Sequence, residues 1–515
     1  MNLTDFPTQG IEETRLSVIP RRLGLWTLLL ASVFVWAPIV RPGLVQTESG
    51  FLPAFNVVAN NAIAQVGVTP DLWRGDGIAA FVPAQPLLLL GVAPAVAAQI
   101  VMVGSLLLGA LAIYAWLQIH MGDRAAGLAG IVYLFLPVTL SVVYRQGSMG
   151  GAVALAMIPF ALAGIATYAR QRTLVAAAVT ALAILWLWRT QAGIALVASI
   201  VLVLYAFIVE ARRGTLLLVL GSAAAGALSL IPIWGIRDGT PSRFVEELGT
   251  LYGMLRAAPH AVEVVQIGVI AFALAAVGVW SMLAGSEWRG SLVRRLVIFA
   301  AVCAALLYGA GMQWFAPIWG VAGGAWLLVA PWQLAVIGTP FLAATAGSAL
   351  LGFSGLRVVP YWVATVALVV LAGQPWLQPR ITYATPPRSP AAILGNNQIA
   401  ILSTELKPND VTGETHLDVR WQVLQPLAKD YNIFVQAMDR RGSDAQKIAQ
   451  IDAPPLADSP ATTWEPGEIL SATYTIHVPV GEPADAYWYG WYDWNDGMRL
   501  AVGAGIDDKM VLYGE

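Results

Sequence analysis

The sequence of 515 residues contains one cysteine and four histidines, and its only lysines are Lys407, Lys429, Lys447 and Lys509. A lone cysteine, Cys303, inside an apolar run excludes an intrachain disulfide and a thiolate metal cluster. The histidines, His120, His260, His416 and His477, show neither HxxxH nor His/Cys spacing, so no zinc motif is present. There is no phosphate-binding P-loop, no dinucleotide fingerprint and no nucleophile elbow. Charge is scarce: 12% of residues are charged, the net charge is −2, and no block of like charge exists that could grip DNA or RNA.

What is abundant is apolar surface. The chain is 57% hydrophobic with 20 tryptophans, and its mean hydropathy is +0.67. A soluble globular core does not absorb that much. Because all the lysines lie beyond residue 400, the basic residues of the apolar part are arginines, in short clusters between long hydrophobic runs. The chain therefore divides into an N-terminal segment at 1–22, a multi-span membrane part at 23–376, a proline-rich linker at 377–397 and a water-soluble β region at 398–515.

A spanning helix needs roughly 20 apolar residues. Runs at 23–40, 97–118, 125–143, 150–168, 173–188, 191–210, 214–234, 262–284, 296–314, 331–353 and 358–375 predict eleven spans. Retained loops are enriched in Arg and Lys. Arg15, Arg21 and Arg22 before the first run therefore put the N-terminus inside, and that run reads as an uncleaved signal anchor. Every second connection is basic, at Arg124, Arg170/Arg172, Arg212/Arg213, Arg289/Arg294/Arg295 and Arg357, and is expected on the inner side of the cytoplasmic membrane. Two long connections, 41–96 and 235–261, are then outside, and an odd number of spans puts the C-terminal region outside as well.

The loop 41–96 is aromatic and mixed in polarity, as expected of short helices lying on a membrane surface. It carries Glu48, Asp71, Arg74 and Asp76. Carboxylates at a membrane face can be solvated loop residues, a general base that deprotonates a sugar hydroxyl, or ligands of a divalent cation. Arg145, in VVYRQGSMGG, and Arg189, in LWLWRTQAG, fall at outer corners against the positive-inside bias, and each requires a partner. A lipid phosphate suits them, because a guanidinium fork binds phosphate oxygens in pairs. Arg237, Arg243, Arg256, Asp238, Glu246, Glu247 and His260 in the second long loop read as a solvated amphipathic segment.

A first helix, a long acidic outer loop, many spans and a terminal extracytoplasmic domain together resemble the GT-C superfamily of polyprenyl-phosphate-sugar glycosyltransferases. The stretch from Glu48 to Gln171, above all AAGLAGIVYLFLPVTLSVVYRQGSMGGAVALAMIPFAL, is similar to the membrane proteins of Chloroflexota named 6-pyruvoyl-tetrahydropterin synthase related. That family places a His four residues after the acid, where this chain has Leu52, and a Glu five residues after the arginine, where it has Gly150. Near the outer end of the fifth span relatives carry His, and here Arg189 stands. The resemblance implies Glu48 and Asp76 as acid, base or metal-binding groups, with Arg74, Arg145 and Arg189 holding lipid phosphate. It also implies a polyprenyl-phosphate-sugar donor and leaves protein partners in the membrane open.

Beyond Pro379, Pro386, Pro387 and Pro390 the segments IAILSTEL, HLDVRWQVL, NIFVQAMD, QKIAQID, ILSATYTIHV, DAYWYGWYDW and MRLAV alternate apolar and polar residues between turns. They predict an antiparallel β-sandwich, and they resemble the sandwich domain appended to many Chloroflexota membrane glycosyltransferases. Alternation puts Tyr487, Tyr489 and Trp491 on one face and Trp488, Tyr492 and Trp494 towards the other, so one set forms core and the other is free to stack on sugars. Two readings follow for the whole chain. One is a glycosyltransferase acting at the outer membrane face; the other is a catalytically degenerate relative serving as an envelope scaffold or a subunit of a membrane complex.

Overall fold

The computed structural model describes residues 22–41, 43–59, 76–231, 244–256, 258–259, 265–322, 328–382, 386, 390–395, 397–409, 413–441, 445–479, 484–503 and 507–513. The chain is a polytopic α-helical membrane protein with a C-terminal antiparallel β-sandwich. Its main helices are α1 Leu23–Trp36, α2 Leu52–Ala59, α3 Pro94–Met121, α4 Asp123–Phe135, α5 Pro137–Ser141, α6 Met149–Gln171, α7 Leu174–Thr190 and α8 Ala192–Tyr205. They continue as α9 Arg213–Leu228, α10 Val269–Ala284, α11 Leu292–Ala310, α12 Trp332–Gly347 and α13 Val359–Gly373.

Each of the eleven expected runs contains helix, but fewer reach spanning length. Among the described residues seven helical segments are long and apolar enough, and an eighth if the bent pair Asp123–Phe135 and Pro137–Gln146 counts as one span. The bend of 44° has a local cause. Pro137 cannot continue the ladder of α4, Leu136 is extended, and the Val138 N–H donates instead to the Gln266 carbonyl at 3.1 Å. Helices α7, α9 and α10 have 17, 16 and 16 residues, which at about 1.5 Å per residue is short of a ~30 Å hydrocarbon core. Large side chains such as Trp26, Leu30, Leu174, Phe207 and Trp280 face outward, as lipid-facing residues do.

Small residues let the helices approach. Gly24 on α1 lies against Asp123 and Gly127, and the Gly24 N–H donates to Asp123 Oδ2 at 2.6 Å. At the far end of α6 from its start, several spans meet in a buried polar junction. Glu210 closes a π-turn, Ala206–Glu210, that extends α8. Its Oε1 accepts from Tyr205 OH at 2.9 Å and lies 3.6 Å from His120 Nε2. Arg170 approaches His120 Nδ1 at 2.9 Å and donates to the Ile119 carbonyl at 2.7 Å, while Trp116 Nε1 donates to Tyr205 OH at 2.9 Å. The contact with Arg170 assigns the His120 proton to Nε2, facing the carboxylate.

Strand β1 Leu44–Val45, in the first long loop, pairs with β2 Ile381–Thr382 beyond the last helix, so the proline-rich stretch is fastened to that loop. The sandwich comprises β3 Ala392–Leu394, β4 Ile399–Asn409, β5 Glu414–Val423, β6 Tyr431–Asp439, β7 Gln446–Ala453, β8 Ile469–His477, β9 Ala486–Asp493 and β10 Met510–Leu512. One sheet has the order β3-β4-β5-β8 and the other β10-β9-β6-β7, with the named pairs antiparallel. Three tryptophans fill the space between them: Trp491 meets Trp421 edge-on at 5.6 Å and Trp464 at 6.1 Å. Tyr487, Tyr489 and Trp491 are thus the core set of the aromatic strand, at 4%, 0% and 0% exposure. They cannot stack on a sugar. On the other side Lys509 Nζ lies over the Trp488 ring at 4.4 Å, and Trp494 stands exposed.

Candidate outer-corner site

The sequence Tyr144-Arg145-Gln146-Gly147-Ser148-Met149-Gly150 turns the chain from a π-turn, Val142–Gln146, into α6. Gly147 adopts φ +66°, a left-handed conformation that suits glycine. A side chain there would also collide with Thr47, whose Oγ1 would lie 2.2 Å from a Cβ. At Gly150 a Cβ would lie 2.4 Å from Asp76 Oδ1. Two glycines of one turn therefore make room for two points of the loop 41–96.

Those contacts bring the acidic residues to the arginine. Arg145 Nε donates to Glu48 Oε1 at 3.0 Å, and the Glu48 N–H donates to the Arg145 carbonyl at 2.7 Å. Both side chains reach solvent, at 21% for Arg145 and 36% for Glu48. Among the described residues no acceptor meets the two Nη groups of Arg145. Next door, Ser49 Oγ and N donate to the Gln146 carbonyl at 2.6 and 3.0 Å.

Asp76 caps α6. Its Oδ2 accepts from the Met149 N–H at 2.8 Å, its Oδ1 accepts from Ser148 Oγ at 2.9 Å, and the Gly150 N–H adds a further bond. A carboxylate at a helix start satisfies N–H groups that have no partner within the helix and meets the positive end of its dipole. The residue keeps some solvent-accessible surface, yet dense packing around the carboxylate raises its proton affinity above the ordinary value of 3.8, against the three hydrogen bonds that lower it. An acid with a raised folded-state pKa contributes stability that is present below the ordinary value and lost as pH rises through the raised one. Asp76→Asn is therefore expected to gain stability relative to the unaltered protein as pH rises above the ordinary carboxyl value of 3.8. Thermal unfolding of both proteins as pH is raised from that value checks it, and parallel curves would defeat the assignment.

Arg189, near the end of α7, is exposed. Its neighbour Thr190 accepts the Gly77 N–H at 2.7 Å, one residue beyond Asp76. The corner thus brings together Glu48 and Arg145 and, at the start of α6, Asp76; Arg189 is near Asp76 in the chain path only, and among the described residues no contact joins its side chain to the other three. Arg74 and Asp71 lie outside the described residues, as do Arg237, Asp238, Arg243 and His260 of the second long loop. Arg256 lies over the Tyr252 ring, 5.9 Å from its centre, away from these contacts.

A divalent cation does not fit the residues described. No three His, Cys, Asp or Glu side chains converge among them. Glu48 faces a guanidinium, and N–H and O–H donors hold the oxygens of Asp76. The pairing of Glu48 with Arg145, 97 positions apart, was not legible in the sequence. The signal that could have shown the corner as a meeting point is the Gly147 and Gly150 spacing beside Arg145.

No family profile matches the chain, and no curated protein matches it. Among solved structures it is similar to the arabinofuranosyltransferase AftD from Mycobacteria, at 17% identity and a TM-score of 0.46, covering 70% of this chain and 28% of that one. It is also similar to the Archaeoglobus fulgidus oligosaccharyltransferase complexed with Zn and sulfate, at 13% identity and 0.41, covering 70% and 54%. A third is ArnT from Cupriavidus metallidurans bound to undecaprenyl phosphate, at 13% identity and 0.33, covering 65% and 79%. The chain spans about a quarter of the first of these and about half of the second.

Proposed function

We propose that this corner binds the phosphate of a polyprenyl-phosphate-linked sugar at the outer face of the cytoplasmic membrane, and that the chain is a glycosyltransferase of the GT-C kind. The observation that carries the reading is an arginine at a membrane-edge turn whose Nε is fixed by Glu48 while its Nη donors meet no acceptor among the described residues. A fixed guanidinium with open N–H groups is suited to phosphate, to which it binds in a charge-assisted, bidentate way. The arginine pattern of the connections supports an outer position for this corner.

In such a reaction the bond between the anomeric carbon and the phosphate oxygen breaks as an acceptor hydroxyl attacks that carbon from the opposite face. The electron pair leaves with the lipid phosphate, whose growing negative charge Arg145 stabilises. The hydroxyl proton passes to Glu48 acting as base. Asp76 holds the start of α6, and with it the turn that bears Arg145.

One observation favours the second reading, a lipid-binding scaffold or subunit without transfer: both carboxylates are engaged, Glu48 by Arg145 and Asp76 by the helix start. Both readings require Arg145. In detergent-solubilised full chain, Arg145→Ala is expected to weaken retention of added polyprenyl phosphate by about 10- to 100-fold, the scale of one or two charge-assisted hydrogen bonds. Undiminished retention would remove this corner as the phosphate site.

A further inference from the structure

The segment 44–51 is fixed by three separate parts of the molecule. At its start, Leu44 and Val45 pair with Thr382 and Ile381, and the Gln46 N–H donates to the Arg380 carbonyl at 2.9 Å. In its middle, Glu48 and Ser49 donate their N–H groups to the carbonyls of Arg145 and Gln146. At its end, the Phe51 N–H donates to the Leu424 carbonyl of the sandwich at 2.7 Å. Gly50, at φ +56°, brings the backbone so close that a Cβ would lie 2.7 Å from that same carbonyl and 3.0 Å from Pro466.

An apolar cluster seals this end. Leu44, Phe51, Ala54 and Phe55 from the membrane part's loop are buried with Ile393, Ala400 and Leu424 from the sandwich, and Phe51 and Phe55 are each 1% exposed. Burial of two phenylalanines offsets the backbone entropy of only a few loop residues. The ordered stretch beside the cluster is the one that carries Glu48.

We propose that the sandwich is a positioning element of the outer corner: by clamping Phe51, it stretches the segment 44–51 as a strap that holds Glu48 against Arg145. The proposal rests on the phosphate-binding reading for its consequence, but the strap itself stands on the contacts alone. Phe51 and Leu424 are accordingly positioning residues for Arg145, acting through Glu48 without touching a ligand.

Backbone amide exchange in the detergent-solubilised full chain reads the strap directly. Phe51→Ala and, from the sandwich side, Leu424→Ala are each expected to speed exchange at the Glu48 and Ser49 amides about tenfold, with β6 and β9 unchanged and Phe51→Leu restoring most of the protection. Retention of added polyprenyl phosphate should fall in the same two variants and return in Phe51→Leu. Unaltered exchange at Glu48 and Ser49 in both variants overturns the strap, as does an equal rise across β6 and β9, which would mark general loss of the sandwich. Faster exchange at the strap with undiminished lipid retention, in a preparation whose unaltered chain binds the lipid, overturns the positioning role. If the unaltered chain binds no polyprenyl phosphate, the phosphate reading and the positioning role that depends on it both fail, and the exchange data still decide the strap.

Discussion

Replacement of Glu48 by glutamine is expected to lower sugar transfer by about 100-fold or more, the usual scale when a general base is removed. The change is small in shape. An amide oxygen can still accept from Arg145 Nε at the 3.0 Å now seen, so the guanidinium should stay oriented and polyprenyl phosphate should still be retained. What is lost is the group that takes the acceptor's proton. The measurement is envelope glycan composition in cells carrying Glu48→Gln, alongside lipid retention by the purified variant. Loss of glycan with retained lipid supports the transferase; an unchanged glycan together with an Arg145→Ala defect supports the lipid-binding scaffold.

Trp491→Ala is expected to destabilise the sandwich by about 3 to 5 kcal/mol, the range for truncating a large buried aromatic. The ring is fully buried between Trp421 and Trp464, and its Nε1 donates to Tyr489 OH at 2.6 Å. Truncation therefore opens a cavity where both sheets meet and removes a buried hydrogen bond. A fragment starting near Ser389 is expected to fold in water, since the cluster of Trp421, Trp464 and Trp491 lies wholly within it. Denaturant unfolding of that fragment, with and without Trp491, measures the difference. A change near zero would contradict the core position.

The helical runs and the alternating strands were legible because each follows a period or a length that physics imposes: continuous apolarity for spans, and a repeat of two for Tyr487, Tyr489 and Trp491. Span length was less legible: the described α-helix of the run at 214–234 ends at Leu228 and that of the run at 262–284 begins at Val269, whereas the run at 173–188 was already short and α7 matches it. In the site, Arg145 stood out because the arginine pattern put it at a non-cytoplasmic corner, where an arginine is costly without a partner. The partner did not stand out, because nothing local ties Glu48 to a residue 97 positions away. Asp76 carried the same difficulty: as a sequence it is a loop acid, and only the start of α6 makes it a cap. The junction around Glu210 was missed altogether, since a single glutamate next to basic residues looks like an ordinary solvated loop charge.

That junction bears on how the protein is made. Glu210 ends one span, His120 ends another, and Arg170 ends a third; the first two side chains are enclosed and Arg170 stays exposed. Removing His120 or Tyr205 would leave the enclosed Glu210 carboxylate short of a partner, which is costly for a desolvated charge. The helix that ends at Met121 can meet Arg170 through His120 as soon as α6 is complete, and Glu210 joins them only when the chain has passed residue 210, so the junction fills in chain order.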